Sequence, residues 1–71
     1  MSIIEEFRNN VFCRRKSNQI KANKLWLKVS GNLSNSDKTL FEIEWSHYVT
    51  GEVDTDEFSF YFTNHVKKYF K

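Results

Sequence analysis

The chain contains no proline, two glycines and one cysteine in 71 residues. Each scarcity excludes something. A single cysteine cannot close an internal disulfide, and one Cys with two His cannot complete a four-ligand zinc site. No metal and no cofactor is therefore expected. Gly31 and Gly51 are too few and too far apart for a glycine-rich phosphate loop, and no G-x-S-x-G, H-E-x-x-H or Cys-x-x-Cys motif is present. No apolar run approaches the ~18 residues of a membrane span. The start, MSIIEEFRNN, places acids where a signal peptide carries bases. A soluble, cytoplasmic chain without a membrane partner is the expectation, and a lone cysteine fits a reducing compartment.

Aromatic residues are plentiful: two Trp, three Tyr and seven Phe make up 17% of the chain. They matter because one core of this size supplies only on the order of 3–5 kcal/mol. Large rings or a partner chain must supplement it. The length predicts one domain over residues 1–71.

The net charge of +2 conceals an uneven distribution. Between Phe7 and Ser36 there are seven bases (Arg8, Arg14, Arg15, Lys16, Lys21, Lys24, Lys28) and no acid. Between Asp37 and Glu57 there are seven acids and one base, Lys38. Lys67, Lys68 and Lys71 follow at the end.

The first segment reads as a helix. Ser2 and Glu5 match the capping-box spacing, and Ile3, Ile4, Phe7 and Val11 share one face. Arg14, Arg15 and Lys16 are expected to close it, near Asn18, where cations suit a helix C-terminus. Leu25, Leu27 and Val29 alternate with Lys24, Trp26 and Lys28, which predicts a strand over residues 21–33. A loop over residues 31–37 (GNLSNSD) leads to a second strand over 38–50, with Phe41, Ile43, Trp45, His47 and Val49 on one face. Gly51 ends that strand or turns the chain, and a short third strand over 48–53 is open. The last segment fits a helix, with Asp54 and Glu57 as its start and Phe58, Tyr61, Phe62, His65, Val66, Tyr69 and Phe70 on one side. Alternating Phe58, Phe60 and Phe62 offer a strand as the other reading.

The predicted fold is α+β: a small single domain, α-β-β-(β)-α, with helices packed on one face of an antiparallel hairpin or sheet. That order resembles double-stranded-RNA-binding domains in outline. The family's last helix begins with bases that hold phosphate; here the matching place reads Asp54-Thr55-Asp56-Glu57, which repels it. Kinship is not adopted on element order alone.

Catalytic constellations are thin. Glu42 and Glu44 share a predicted strand face, where pairing with Lys24 and Lys28 across the hairpin is the ordinary role. His47 and His65 could form a pH-sensitive pair, although partly buried, singly bonded histidines are the commoner case. Cys13 has no nucleophile signature around it. No enzymatic activity is expected.

Binding features are richer. Trp26 between Lys24 and Lys28 on a solvent-facing strand, with Tyr48 beside it and Arg14, Arg15 and Lys16 upstream, interleaves cations with rings as single-stranded nucleic acid sites do. Phe12 and Phe60 lie on the polar sides of their helices, as interface anchors do. The favoured function is a non-catalytic binding protein acting through protein–protein contacts, with Phe12, Arg14, Arg15, Lys16, Lys24, Trp26, Lys28, Tyr48 and Phe60 as its partner-binding residues. A homodimer through exposed strand edges is one expected assembly. The Lys, Asn, Ile, Phe and Tyr bias points to an AT-rich genome. A short chain of this kind fits an accessory factor such as a phage or mobile-element inhibitor or regulator of a host system. The rival is a nucleic-acid-binding regulator using Arg14, Arg15, Lys16, Lys24, Trp26 and Lys28.

Overall fold

The computed structural model describes residues 2–70, and every regular element among them is helical. Four α-helices follow in order: α1 (Ile3–Val11), α2 (Lys16–Val29), α3 (Asn35–Val49) and α4 (Thr55–His65). Short 3-10 turns follow α2 at Ser30–Asn32 and α4 at Lys67–Tyr69. The chain forms two compact units, the first ending at Asn32 and the second beginning at Leu33.

The α+β expectation is therefore overturned. Both predicted strands are helices, and neither a hairpin, a sheet nor a third strand exists among the described residues. The outline likeness to double-stranded-RNA-binding domains falls with the strands, as does a homodimer built on strand edges. The physical reason lies in a pattern that carries two periods. Leu25, Leu27 and Val29 alternate, but Ala22, Trp26 and Val29 recur at i, i+4 and i+7, and these three are buried. In α3 the buried set is Phe41, Trp45 and Tyr48, again at i, i+4 and i+7, while Ile43 and Val49 of the alternating stripe are exposed. Length also decides. Segments of 14 and 15 residues without an internal Gly or Pro exceed the usual strand of ~5–6 residues and suit helices.

The first unit is an antiparallel helix pair. Contacts between Asn10 and Asn18 and between Phe7 and Trp26 show the two helices running in opposite directions. Ser2 caps α1 by accepting from the Glu5 N–H, as its spacing predicts. Yet α1 stops at Val11 rather than near Asn18. Gln19 from α2 explains the stop: its Nε2 donates to the Val11 carbonyl at 3.0 Å and to the Cys13 carbonyl at 2.6 Å. Carbonyls that a longer helix would use internally are satisfied by a side chain instead. The core is Phe7, Val11, Ala22, Trp26 and Val29. Buried Asn10 is satisfied within it, donating to the Glu6 carbonyl at 2.8 Å and accepting from Asn18 at 3.0 Å.

The second unit is also an antiparallel pair. Phe41 stacks on Phe58 at 5.3 Å between ring centroids, Tyr48 stacks on Phe58 at 4.3 Å, and Phe41 meets Phe62 edge-on at 6.0 Å. Val53 and Val66 complete the apolar interior. Each helix has its cap: Ser34 accepts from the Asp37 N–H and Asp54 from the Glu57 N–H. Gly51, at φ +86°, ends α3 in the left-handed conformation that glycine reaches without penalty. The last segment is thus a helix, as its longer periodicity and its Asp54–Glu57 start indicate.

Candidate functional site

In a helical chain the expected binding residues scatter. Trp26 is only 8% exposed and stacks on Phe7 with ring centroids 5.5 Å apart. Tyr48 is 2% exposed and lies flat against Phe58. Both are core residues, so neither ring is offered to a base or a partner. Phe12 is half-buried at the end of α1, with the Arg8 guanidinium 4.8 Å above its ring. Arg14 lies in the link between the helices, Arg15 is the N-cap of α2, and Lys16 is its first residue. These cations open a helix instead of closing one, which sets them against the positive end of its dipole. Phe60 is 62% exposed on the outward side of α4, as its place in the pattern predicts, and meets Tyr61 edge-on at 5.8 Å.

What the structure does bring together is the outward face of α2. With Ala22, Trp26 and Val29 turned inward, Lys16, Ile20, Lys24, Leu27 and Lys28 share the opposite side. All five are exposed, Leu27 to 78% and Ile20 to 51%. Lys21, at the edge of this face, pairs with Glu6 at 3.6 Å. Ile20 and Leu27 were missed as site residues because a strand reading places Leu27 in the core. At helical period they lie two turns apart on the lysine side.

Glu42 and Glu44 do not form a pair. Two residues apart on a helix, they point in different directions, and without strands there is no cross-strand partner for them. The histidines also separate. His47, on the exposed side of α3, lies 3.9 Å from Glu52, and His65 lies 2.8 Å from Asp37.

Asp37 is the centre of a polar cluster that no sequence motif announced. Its Oδ1 meets His65 Nδ1 at 2.8 Å, and its Oδ2 accepts from Lys68 Nζ at 3.0 Å and from the Tyr69 hydroxyl. That hydroxyl also bonds with the Ser34 hydroxyl at 3.1 Å, and Ser34 in turn accepts from the Asp37 N–H at 3.2 Å. The Tyr69 hydrogen bond, then those of His65 and Lys68, hold the Asp37 carboxyl well below the usual carboxylate range. The same carboxylate raises the Lys68 ammonium above its ordinary value. An imidazole oriented by a carboxylate supplies two of the three members of a hydrolytic triad. The Ser34 hydroxyl in this cluster, however, is committed to the Asp37 amide and the Tyr69 hydroxyl. The arrangement fastens the turn at 67–69 to the start of α3.

Among the described residues, no three His, Cys, Asp or Glu side chains are grouped to hold a metal ion. No described helix is long and apolar enough to cross a membrane. Comparisons with protein-family models, curated proteins and solved structures each return no match.

Proposed function

We propose that this chain is a non-catalytic protein-binding module that docks the outward face of α2 on an acidic surface of a partner protein. The observation that carries the reading is Leu27, 78% exposed and flanked by Lys24 and Lys28. An isolated exposed leucine needs no explanation. Here Ile20 joins it on the same face, and Lys16–Val29 carries four lysines and no acid. An apolar centre rimmed by one sign of charge suits a protein surface of opposite sign: the centre supplies contact, and the rim supplies steering and register. Phosphate binding needs only the lysines and gives Leu27 and Ile20 nothing to do. The two rings that would have stacked bases, Trp26 and Tyr48, are buried.

The test is capture from lysate of the native host, with wild type, Leu27→Asp and Ile43→Asp as baits. Wild type and Ile43→Asp are expected to retain the same protein, and Leu27→Asp to lose it. Retention unchanged by Leu27→Asp removes the reading. Oligonucleotide binding that weakens steeply above ~50 mM salt, in proportion to the lysines removed, replaces it with the nucleic-acid alternative.

A further inference from the structure

We infer that the α2 face takes a second copy of this chain, met through the outward face of that copy's α4. The inference rests on the reading that α2 binds protein, and it names the partner. The helix α4 is the chemical complement of α2. Between Thr55 and His65 it carries Asp56 and Glu57 and no Lys or Arg, whereas α2 carries four Lys and no acid. Phe60 follows Glu57 by three positions and Asp56 by four, so both acids neighbour it on the helix surface. All three are exposed on the side of α4 away from buried Phe58 and Phe62. On α2, Lys24 lies four residues after Ile20 and three before Leu27, and Lys28 follows it by four. Each helix thus presents apolar anchors rimmed by charges of one sign, and the signs are opposite.

The alternative faces match less well. Leu40 and Ile43 of α3 are exposed, but of the acids beside them Asp37 is taken by His65, Lys68 and Tyr69, Glu44 is half-buried, and Ser36, Thr39 and Ser46 carry no charge. Among the described residues, Phe60 and Leu27 are the two most exposed large apolar residues, at 62% and 78%. Placing one against the other removes both from water together, while Lys24 and Lys28 meet Asp56 and Glu57 at the rim. Because the two surfaces differ, each contact pairs unlike helices. It closes when each copy gives both surfaces to the same neighbour, and it otherwise grows into chains.

Sedimentation of the full-length protein tests this. At low salt and several hundred micromolar, a mass of two or more copies is expected. It should revert to one copy at ~1 M salt, where charges are screened within ~3 Å. The charge-reversed variants Lys24→Glu/Lys28→Glu and Asp56→Lys/Glu57→Lys are each expected to sediment as one copy alone. Mixed one to one, they should reassociate less readily than wild type but more than either alone, since one supplies the intact α4 face, the other the intact α2 face, and the two reversed faces also match each other. Phe60→Ser, at an exposed site that the helix does not need, is expected to weaken association about tenfold, the effect of a modest interface anchor. Helical circular dichroism at the wild-type level establishes that each variant is folded. Three results overturn the inference: wild type sedimenting as one copy throughout, association that Phe60→Ser leaves unchanged, or association indifferent to salt. A single-copy wild type that still captures a Leu27-dependent partner defeats this inference alone. Loss of both results defeats the binding reading as well.

Discussion

At the scale of single residues, Trp26 changes role most between pattern and structure. Flanked by lysines in sequence, it resembles a stacking platform, yet its ring lies on Phe7 in the first unit's core. Trp26→Ala removes a large buried ring, a change that costs about 3–5 kcal/mol. That equals all the stability a core of this size supplies, so loss of the cooperative unfolding transition is expected in circular dichroism. Asp37 gives a second prediction. Its carboxyl is held below the ordinary range when folded and returns to that range when unfolded. The stabilisation it provides is therefore present above the unfolded value of ~3.9 and disappears as pH falls through the folded value. The denaturant midpoint is expected to drop on acidification from ~5 towards ~2, and Asp37→Asn should flatten that dependence while lowering the neutral-pH midpoint. Lys68, raised by the same partner, contributes below its unfolded value of 10.5 and loses that contribution only as pH climbs through its higher folded value.

At the scale of elements, what the sequence discloses depends on whether an end or a face is being read. Helix starts were legible at α1 and α4, because Ser2 with Glu5 and Asp54 with Glu57 carry the capping chemistry three letters apart. The start of α3 carries it too, in Ser34 and Asp37, but inside a stretch whose Ser, Asn and Gly also spell a loop. Faces misled. In α2 and α3 the apolar residues occupy both the inward side and part of the outward side, so alternation and helical period fit the same letters. The surplus that produced the confusion, Leu27, Ile43 and Val49, is the part that faces outward, and Leu27 is the centre of the proposed binding face. The Asp37 cluster was not legible at all, since His65 lies 28 residues away and only tertiary packing joins them. Gly51 belongs to this scale because it ends α3. A Cβ there meets nothing within 4 Å, so Gly51→Ala is penalised by backbone conformation alone. A loss of about 1 kcal/mol is expected in denaturant unfolding. Gly51→Asn should lose less, because Asn tolerates the left-handed region.

At the scale of the whole molecule, charge divides as the chain does. The first unit, to Asn32, holds seven bases and two acids; the second, from Leu33, holds seven acids and four bases. A net charge of +2 is thus the difference between a basic helix pair and an acidic one. This division gives the proposed contact between copies its salt dependence. The two units also share out the indoles, with Trp26 in the first and Trp45 in the second, both buried. Intrinsic fluorescence can therefore be assigned by subtraction. Trp45→Phe leaves an emitter in the basic pair, and Trp26→Phe leaves one in the acidic pair. Every member of the Asp37 cluster lies in the acidic pair, so acidification must register in the Trp45 signal. Whether the Trp26 signal moves with it measures, in a single titration, how far unfolding of one pair drags the other.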